Sequence, residues 1–410
     1  MRIPVAVGHL DADCFYVSAE RVRDPFLVGK AVGVLGNQGA CVIAKSYEMR
    51  EAGVKVGEPI WEALAKCPEG IYVKRDFHWY EVLSQEIRKL VGEMSHRVEF
   101  YSIDEFFFVA TPLRGRTYQE TAEILRDRIW NALRVPVTVG IARTRTLAKL
   151  VSDAAKPFGA LAVLGKSAEH QLMADLPVTE IAGIAGRRAN RLRLRNVETC
   201  LDLAKADRGT IRQVLTASGE VLWWELNGEA VQPIHPARPA HKTLSRGGSL
   251  GRATTDPGVL YAWLVRNLER LIEELEYHQV LAGRLTVWVN YKDGRSAAGE
   301  VKLPFPTDRF DLLLDAGRPC LRSAYIPRVP AVRMQVLAER LTPRGRAQIG
   351  LFDPPEAADR ARAVAALKHN VNDRHGRFAL RSAVTLAINS LYQDIANDYD
   401  ICDIRNKGCF

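Results

Sequence analysis

The chain has little sulfur chemistry and no long apolar runs. Its 410 residues include seven cysteines, at 14, 41, 67, 200, 320, 402 and 409. They are scattered and odd in number, and no Cys-x-x-Cys spacing occurs. That argues against a disulfide framework and for reduced thiols in a cytosolic protein. No stretch approaches the ~20 apolar residues that cross a bilayer, and the N-terminus carries no signal-peptide pattern, so no membrane partner is expected. Internal repeats and low-complexity tracts are missing too. What is there is ordinary for a globular protein: 47% hydrophobic and 26% charged residues, over a length that calls for more than one domain.

The net charge of +9 is unevenly placed. Residues 231–350 hold 18 Lys and Arg against 11 Asp and Glu. A basic segment suits a phosphate backbone through Coulomb attraction and counterion release, although solvated Arg-rich faces would give the same composition.

The most informative stretch is Val98-Glu99-Phe100-Tyr101-Ser102-Ile103-Asp104-Glu105-Phe106-Phe107-Phe108-Val109, where two carboxylates interrupt a run of strand formers. In an unbroken strand they would face opposite sides. A hairpin of Val98–Ile103 and Phe106–Ala110, with Asp104 and Glu105 at its turn, lets both converge. Burying like charges beside an apolar sheet is costly unless a cation sits between them, and Mg²⁺ takes hard oxygen ligands. The run Val5–Asp11 reads as a short buried strand ending on a third acid, Asp11. Together Asp11, Asp104 and Glu105 would suit two ions about 3.5–4 Å apart, a clamp for in-line displacement at phosphorus. A solvated turn is the alternative for the Asp-Glu pair taken alone.

Asp11-Ala12-Asp13-Cys14-Phe15-Tyr16, Tyr101-Ser102-Ile103-Asp104-Glu105 and Ala155-Lys156-Pro157-Phe158-Gly159 occur in the order and spacing of the Y-family translesion DNA polymerases. Asn37–Ala44 resembles the UmuC-type branch, the catalytic subunit of bacterial polymerase V, with a DinB-like relative as the neighbouring option. The resemblance covers roughly residues 3–352. It implies an α+β multidomain fold: a right-hand polymerase with a ferredoxin-like palm, small fingers, a helical thumb and an α/β little-finger domain. The palm would be residues 1–14 and 76–165, the fingers 15–75, and the thumb 166–232. Three prolines mark a linker at 233–241. Residues 242–343 alternate strand, helix, strand, strand, helix, strand and would be the little finger. Residues 344–410 would hold a clamp-binding peptide and a helical tail.

The resemblance also implies site roles. Two Mg²⁺ ions would be held by Asp11, the Ala12 carbonyl, Asp104 and Glu105. Tyr47 and Arg50, three apart on a helix and so on one face, would reach the triphosphate with Lys156. Locally, Lys156 also reads as a charge closing a helix before Pro157. Ala44 stands where the DinB-type branch commonly has Thr, which removes a hydroxyl contact. Phe15 and Tyr16 follow Asp11 closely enough to lie beside the nucleotide. Phe15 reads as core, and Tyr16 matches the family's steric gate against a ribose 2′-hydroxyl.

DNA contacts are expected in two places. Gly183-Ile184-Ala185-Gly186-Arg187 resembles a helix-hairpin-helix turn offering N–H groups to a phosphate, or is an ordinary interhelical turn. Lys242, Arg246 and Arg252 lie on an expected strand that either follows the template backbone or is a charged, solvated edge. Gly247 and Gly248 would leave room for the nucleic acid. Gln348-Ile349-Gly350-Leu351-Phe352, flanked by Pro and Gly, resembles the sliding-clamp pentapeptide, with Gln348, Leu351 and Phe352 filling clamp pockets. Beyond it, Ala357–Val371 and Phe378–Ala396 read as helices.

The expected activity is template-directed addition of dNTPs to a primer-template, error-prone and across DNA damage, in a mutagenic SOS response. A UmuD-like subunit and a recombinase filament are further possible partners. Two other classes compete: a catalytically silent adaptor between clamp and repair proteins, and a nucleotide cyclase on a palm-like core. The adaptor would be expected to have lost an acid, and the basic 231–350 segment argues against the cyclase.

Overall fold

A computed structural model of the chain describes residues 6–36, 41–236, 240–346, 355–376 and 378–392. The chain divides into two compact units, parted between residues 238 and 239.

The first unit is built on a five-stranded sheet in the order Val98–Phe100, Glu105–Ala110, Ala6–Ala12, Val137–Ala142, Ala160–Val163. Ala6–Ala12 is central, antiparallel to both neighbours, and buried along its whole length. Side chains alternate across this sheet. Leu10, Phe106, Phe108, Val139 and Ile141 face one side and pack with Tyr80, Ile87, Leu125 and Ile129 of helices Phe77–Met94 and Tyr118–Leu133. The capping box Thr117/Glu120 fixes the start of the second of these helices. Val7, Phe107, Val109 and Ala142 face the other side, onto Leu147, Ala148 and Val151 of helix Arg145–Ala155.

That second contact is unusually close. A Cβ on Gly140 would lie 2.4 Å from the Ala148 carbonyl oxygen and 2.4 Å from the Ser152 nitrogen. Glycine is the only residue that lets the helix seat there.

The hairpin differs from the sequence expectation on both sides of its turn: the first strand stops at Phe100 instead of Ile103, and the second begins at Glu105 instead of Phe106. Glu105 does not lie in the turn but begins the strand, directly opposite Asp11. Asp104 closes the turn, its carbonyl accepting from the Ala12 N–H at 2.9 Å. Pairing with Ala6–Ala12 outweighs the symmetry of the hairpin and draws Glu105 into the ladder.

A small sheet, Val42–Lys45, Val32–Leu35 and Ile71–Lys74, carries helices Tyr47–Glu51 and Ile60–Lys66. Helix Phe15–Arg23 does not stand apart with it: Phe15, Val17 and Ala19 share one core with Leu10 and Phe106. Residues 166–232, expected to be helical, carry helices Lys166–Asp175, Gly186–Arg193, Cys200–Lys205 and Arg208–Leu226. The proline-rich segment starts tied down. His235 N–H donates to Glu99 at 2.9 Å, and Arg97 donates to the Ile234 carbonyl at 3.0 Å.

The second unit has the expected strand–helix–strand–strand–helix–strand order. Its sheet runs Ser296–Thr307, Val280–Tyr291, Ala331–Glu339, Thr243–Thr254, with helices Pro257–Tyr277 and Phe310–Ala324 sharing its core. The tail folds onto the first of these helices. Lys368 Nζ and Ser382 N–H reach Glu269 at 2.6 and 3.2 Å, and Ile388 is buried. Its last described segment, Ala383–Tyr392, is a 3₁₀ helix kinked at Ile388, within the stretch Phe378–Ala396 expected to be helical. No helix among the described residues is long and apolar enough to cross a membrane.

Candidate active site

Asp11, Glu105, His9, Thr138 and Gly140 all lie on the face of the five-stranded sheet that carries helix Arg145–Ala155, because they alternate with the apolar set facing the other way. The sheet register puts Asp11 opposite Glu105, and the turn puts Asp104 beside them. Asp11 is 8% exposed. Burial pushes its carboxyl up to about 7, and the Glu105 and Asp104 carboxylates add to the rise against the opposing pull of Lys156. Burial also raises Asp104, although the Ser102 hydroxyl donates to it.

Two lysines from one helix answer this crowding. Lys156 Nζ stands 2.9 Å from Asp11 and 2.8 Å from Asp153. Lys149 is paired with Glu105. Burial pulls each ammonium toward losing its proton, and the facing carboxylates outweigh it, so both are lifted above the ordinary lysine range. Lys156 is also the C-cap of its helix, as its local reading has it. Sequence reasoning missed Lys149, His9 and Ser152. Lys149 and Lys156 are seven apart, two turns on one helix face, and that spacing was the available signal.

No three His, Cys, Asp or Glu side chains among the described residues converge as a preformed metal cage. Asp11 and Glu105 instead turn onto the lysines. The donor set still fits a hard divalent cation: three acidic side chains at one corner of the sheet, with Asp11 and Asp104 both raised by burial, a rise that nearby positive charge relieves. Asp13 is a different kind of acid. It is buried and structural, accepting from Phe158 N–H at 2.8 Å and from Thr138 Oγ1 at 3.1 Å.

Tyr16 is half-buried. Its ring stacks on Tyr80 at 4.6 Å and meets Phe77 edge-on at 5.7 Å. Phe15, named with it as a nucleotide contact, is 4% exposed and belongs to the core, because helix Phe15–Arg23 turns it toward Tyr80. Arg50 lies over the Tyr47 ring at 4.9 Å, so the two share a face. Burial, then the nearby Asp13 carboxylate, pushes the Tyr47 hydroxyl up to about 12.

The other expected contacts fare unequally. Gly183 and Gly186 are exposed, Gly183 has a left-handed φ of 92°, and helix Gly186–Arg193 begins at the second glycine with Arg187 exposed. Lys242 and Arg252 are exposed. Arg246 is not: it pairs with Glu274 of helix Pro257–Tyr277, because its strand position faces that helix. Gly247 answers to its neighbouring strand instead of a nucleic acid, since a Cβ there would lie 2.1 Å from the Met334 carbonyl oxygen. Gln348, Leu351 and Phe352 lie outside the described residues, as do Asn37–Ala40.

Two family models match the chain: impB/mucB/samB family over residues 10–153, and impB/mucB/samB family C-terminal domain over 241–351. Among similar proteins are "Protein ImpB" of Salmonella typhimurium, 31% identical over 84% of each chain, and "DNA polymerase IV" of Bacillus velezensis, 29% identical over 93% of each. "Protein UmuC" of Salmonella typhimurium is 29% identical over 89% of this chain and 90% of its own. The fold is shared with a solved Y-family DNA polymerase chimera of Dbh and Dpo4, at TM-score 0.68 and 22% identity, covering 82% of this chain and 99% of the other. A Dbh ternary complex aligns at TM-score 0.57 and 24% identity, covering 82% and 98%.

Proposed function

Because this chain belongs to the impB/mucB/samB family, the Y-family DNA polymerases, we infer that it is a DNA-directed DNA polymerase of translesion synthesis. The observation that carries the reading is the acidic corner itself: Asp11 opposite Glu105, Asp104 on the adjoining turn, and Lys156 and Lys149 set against the first two. An adaptor that only bridges partners has no use for three such acids, and keeping them there costs stability.

Polymerases of this family use divalent metal ions, and we take the pair here to be Mg²⁺, held by Asp11, the Ala12 carbonyl, Asp104 and Glu105. When bound, the ions supply Lewis-acid activation of the primer 3′-hydroxyl and charge neutralisation of the triphosphate. The chain's own residues do the rest. Lys156, released from Asp11, is placed to meet triphosphate oxygens. The Arg50 fork and the Tyr47 hydroxyl reach them from the small sheet's helix. Tyr16, braced by Tyr80 and Phe77, excludes a 2′-hydroxyl. The five-stranded sheet is then the palm, the small sheet the fingers, residues 166–232 the thumb and the second unit the little finger. Primer-template DNA would be met by backbone N–H groups at Gly183–Gly186, by Arg187, and by Lys242 and Arg252, contacts that hold register and do not read sequence. Gln348, Leu351 and Phe352 would dock on a sliding clamp. A UmuD-like subunit and a recombinase filament are partners of the same reading.

Primer extension on a damaged template with dNTPs and Mg²⁺ tests it. The wild type should extend past the primer end, and Asp104→Ala/Glu105→Ala should show no product. Equal extension by the double variant would refute the assignment.

A further inference from the structure

A buried histidine behind the acids has no part in the chemistry above. His9 is fully buried on the strand that carries Asp11, with its ring 4.5 Å from that of Phe107. Its Nδ1 is 2.6 Å from Ser152 Oγ. Its Nε2 has no hydrogen-bond partner, yet it lies only 3.7 Å from Glu105 Oε1, the oxygen that Lys149 engages. A buried polar atom left unpaired costs about 1–3 kcal/mol, so its persistence needs a reason.

The surroundings set the tautomer. Ser152 has one hydroxyl proton and two acceptors in reach, His9 Nδ1 and the Lys149 carbonyl at 2.8 Å. That carbonyl lies inside helix Arg145–Ala155, where the N–H four residues on already serves it. What decides is the other nitrogen: with the ring's own proton on Nε2, facing the Glu105 carboxylate 3.7 Å away, the Ser152 hydroxyl donates to Nδ1. The opposite tautomer would set a lone pair against a carboxylate. Gly140 makes the arrangement possible. It stands directly across from His9 in the sheet, and its missing side chain lets the helix bring Ser152 down onto the ring.

We propose that His9 is a positioning residue for Glu105: Ser152 fixes its tautomer, and its Nε2–H holds that carboxylate in a ligating orientation once Glu105 leaves Lys149. The proposal rests on the reading of Glu105 as a metal ligand. It gives Glu105 two alternative protein partners, Lys149 in the ion-free site and His9 in the loaded one. A residue that holds a ligand in this way governs metal affinity without touching the metal.

The test uses the full chain without DNA. Mn²⁺ binding is measured by calorimetry, and His9 protonation by ¹⁵N NMR, with its signals assigned by their loss in the His9 variants. The wild type should carry the proton on Nε2. His9→Phe should weaken Mn²⁺ binding about tenfold, and His9→Gln, which keeps an N–H within reach, should recover most of that loss. Ser152→Ala should lose the tautomer bias and weaken Mn²⁺ less than His9→Phe. An Nδ1–H tautomer in the wild type, or unchanged Mn²⁺ binding in His9→Phe, would overturn the proposal. If His9→Phe does not fold, unchanged tautomer and affinity in Ser152→Ala overturn it instead. Failure of the underlying reading looks different: Asp104→Ala/Glu105→Ala would then bind Mn²⁺ as the wild type does.

Discussion

Asp11 and Glu105 meet across one pair of antiparallel strands, and each carries a lysine from the same helix. The raised pKa of Asp11, about 7, follows first from burial and then from its acidic neighbours. A cation binds the ionised carboxylate, so below this pKa binding must first expel the Asp11 proton. Divalent affinity of the DNA-free protein should therefore be level above pH 8 and fall by about tenfold per pH unit below 6. Calorimetry of Mn²⁺ binding across that range checks it, and a flat profile would contradict the crowding. Tyr16 supports a second expectation at this scale. Its ring cannot swing aside cheaply, because Tyr80 stacks on it and Phe77 meets it edge-on. Tyr16→Ala should raise ribonucleotide incorporation by at least about tenfold, the worth of ~1.4 kcal/mol of lost exclusion. Single-nucleotide insertion with rNTP and dNTP measures the ratio, and unchanged sugar selectivity would remove the gate.

Among the elements, helix Arg145–Ala155 does the most. Its Thr144 cap, apolar face and three polar residues, Lys149, Ser152 and Lys156, place two cations and a hydroxyl against the acidic corner. All of this depends on Gly140. Gly140→Ala puts a methyl 2.4 Å from backbone atoms of Ala148 and Ser152, which no rotamer change relieves. Overpacking of this kind typically costs 1–3 kcal/mol, and a backbone clash belongs at about the upper end. Chemical denaturation should show that loss, and extension should fall with it as the helix moves off the strand. Wild-type stability in Gly140→Ala would mean that the helix has slack there. The hairpin is the other telling element. Three ladder partners for Val98–Phe100 are fewer than the six that join Glu105–Ala110 to Ala6–Ala12, so the longer pairing decides where the strand begins.

For the whole molecule, the chain is two units joined by a proline-bearing segment whose first residues are held by Glu99 and Arg97. The described part of the tail, residues 355–376 and 378–392, folds back on the second unit through Glu269, so it is part of that unit's surface. The Gln348–Phe352 peptide precedes this tail. Leu351→Ala/Phe352→Ala should abolish pulldown by a bacterial sliding clamp while leaving clamp-free primer extension intact. Undiminished pulldown would end the clamp assignment.

The amino-acid sequence alone determined the three acids, the aromatic pair after Asp11, the order of elements in the second unit and the family, because these rest on local pattern and motif spacing. Tertiary structure decided what depends on neighbours distant in the chain. It drew Glu105 into the strand opposite Asp11, paired Arg246 with Glu274 and tied Gly247 to Met334. It also brought Lys149, Ser152 and His9 together. The physical reason is that a strand's pattern states which residues share a face, while the partners on that face are chosen by sheet register and helix seating, and those are set by packing across more than a hundred residues of chain.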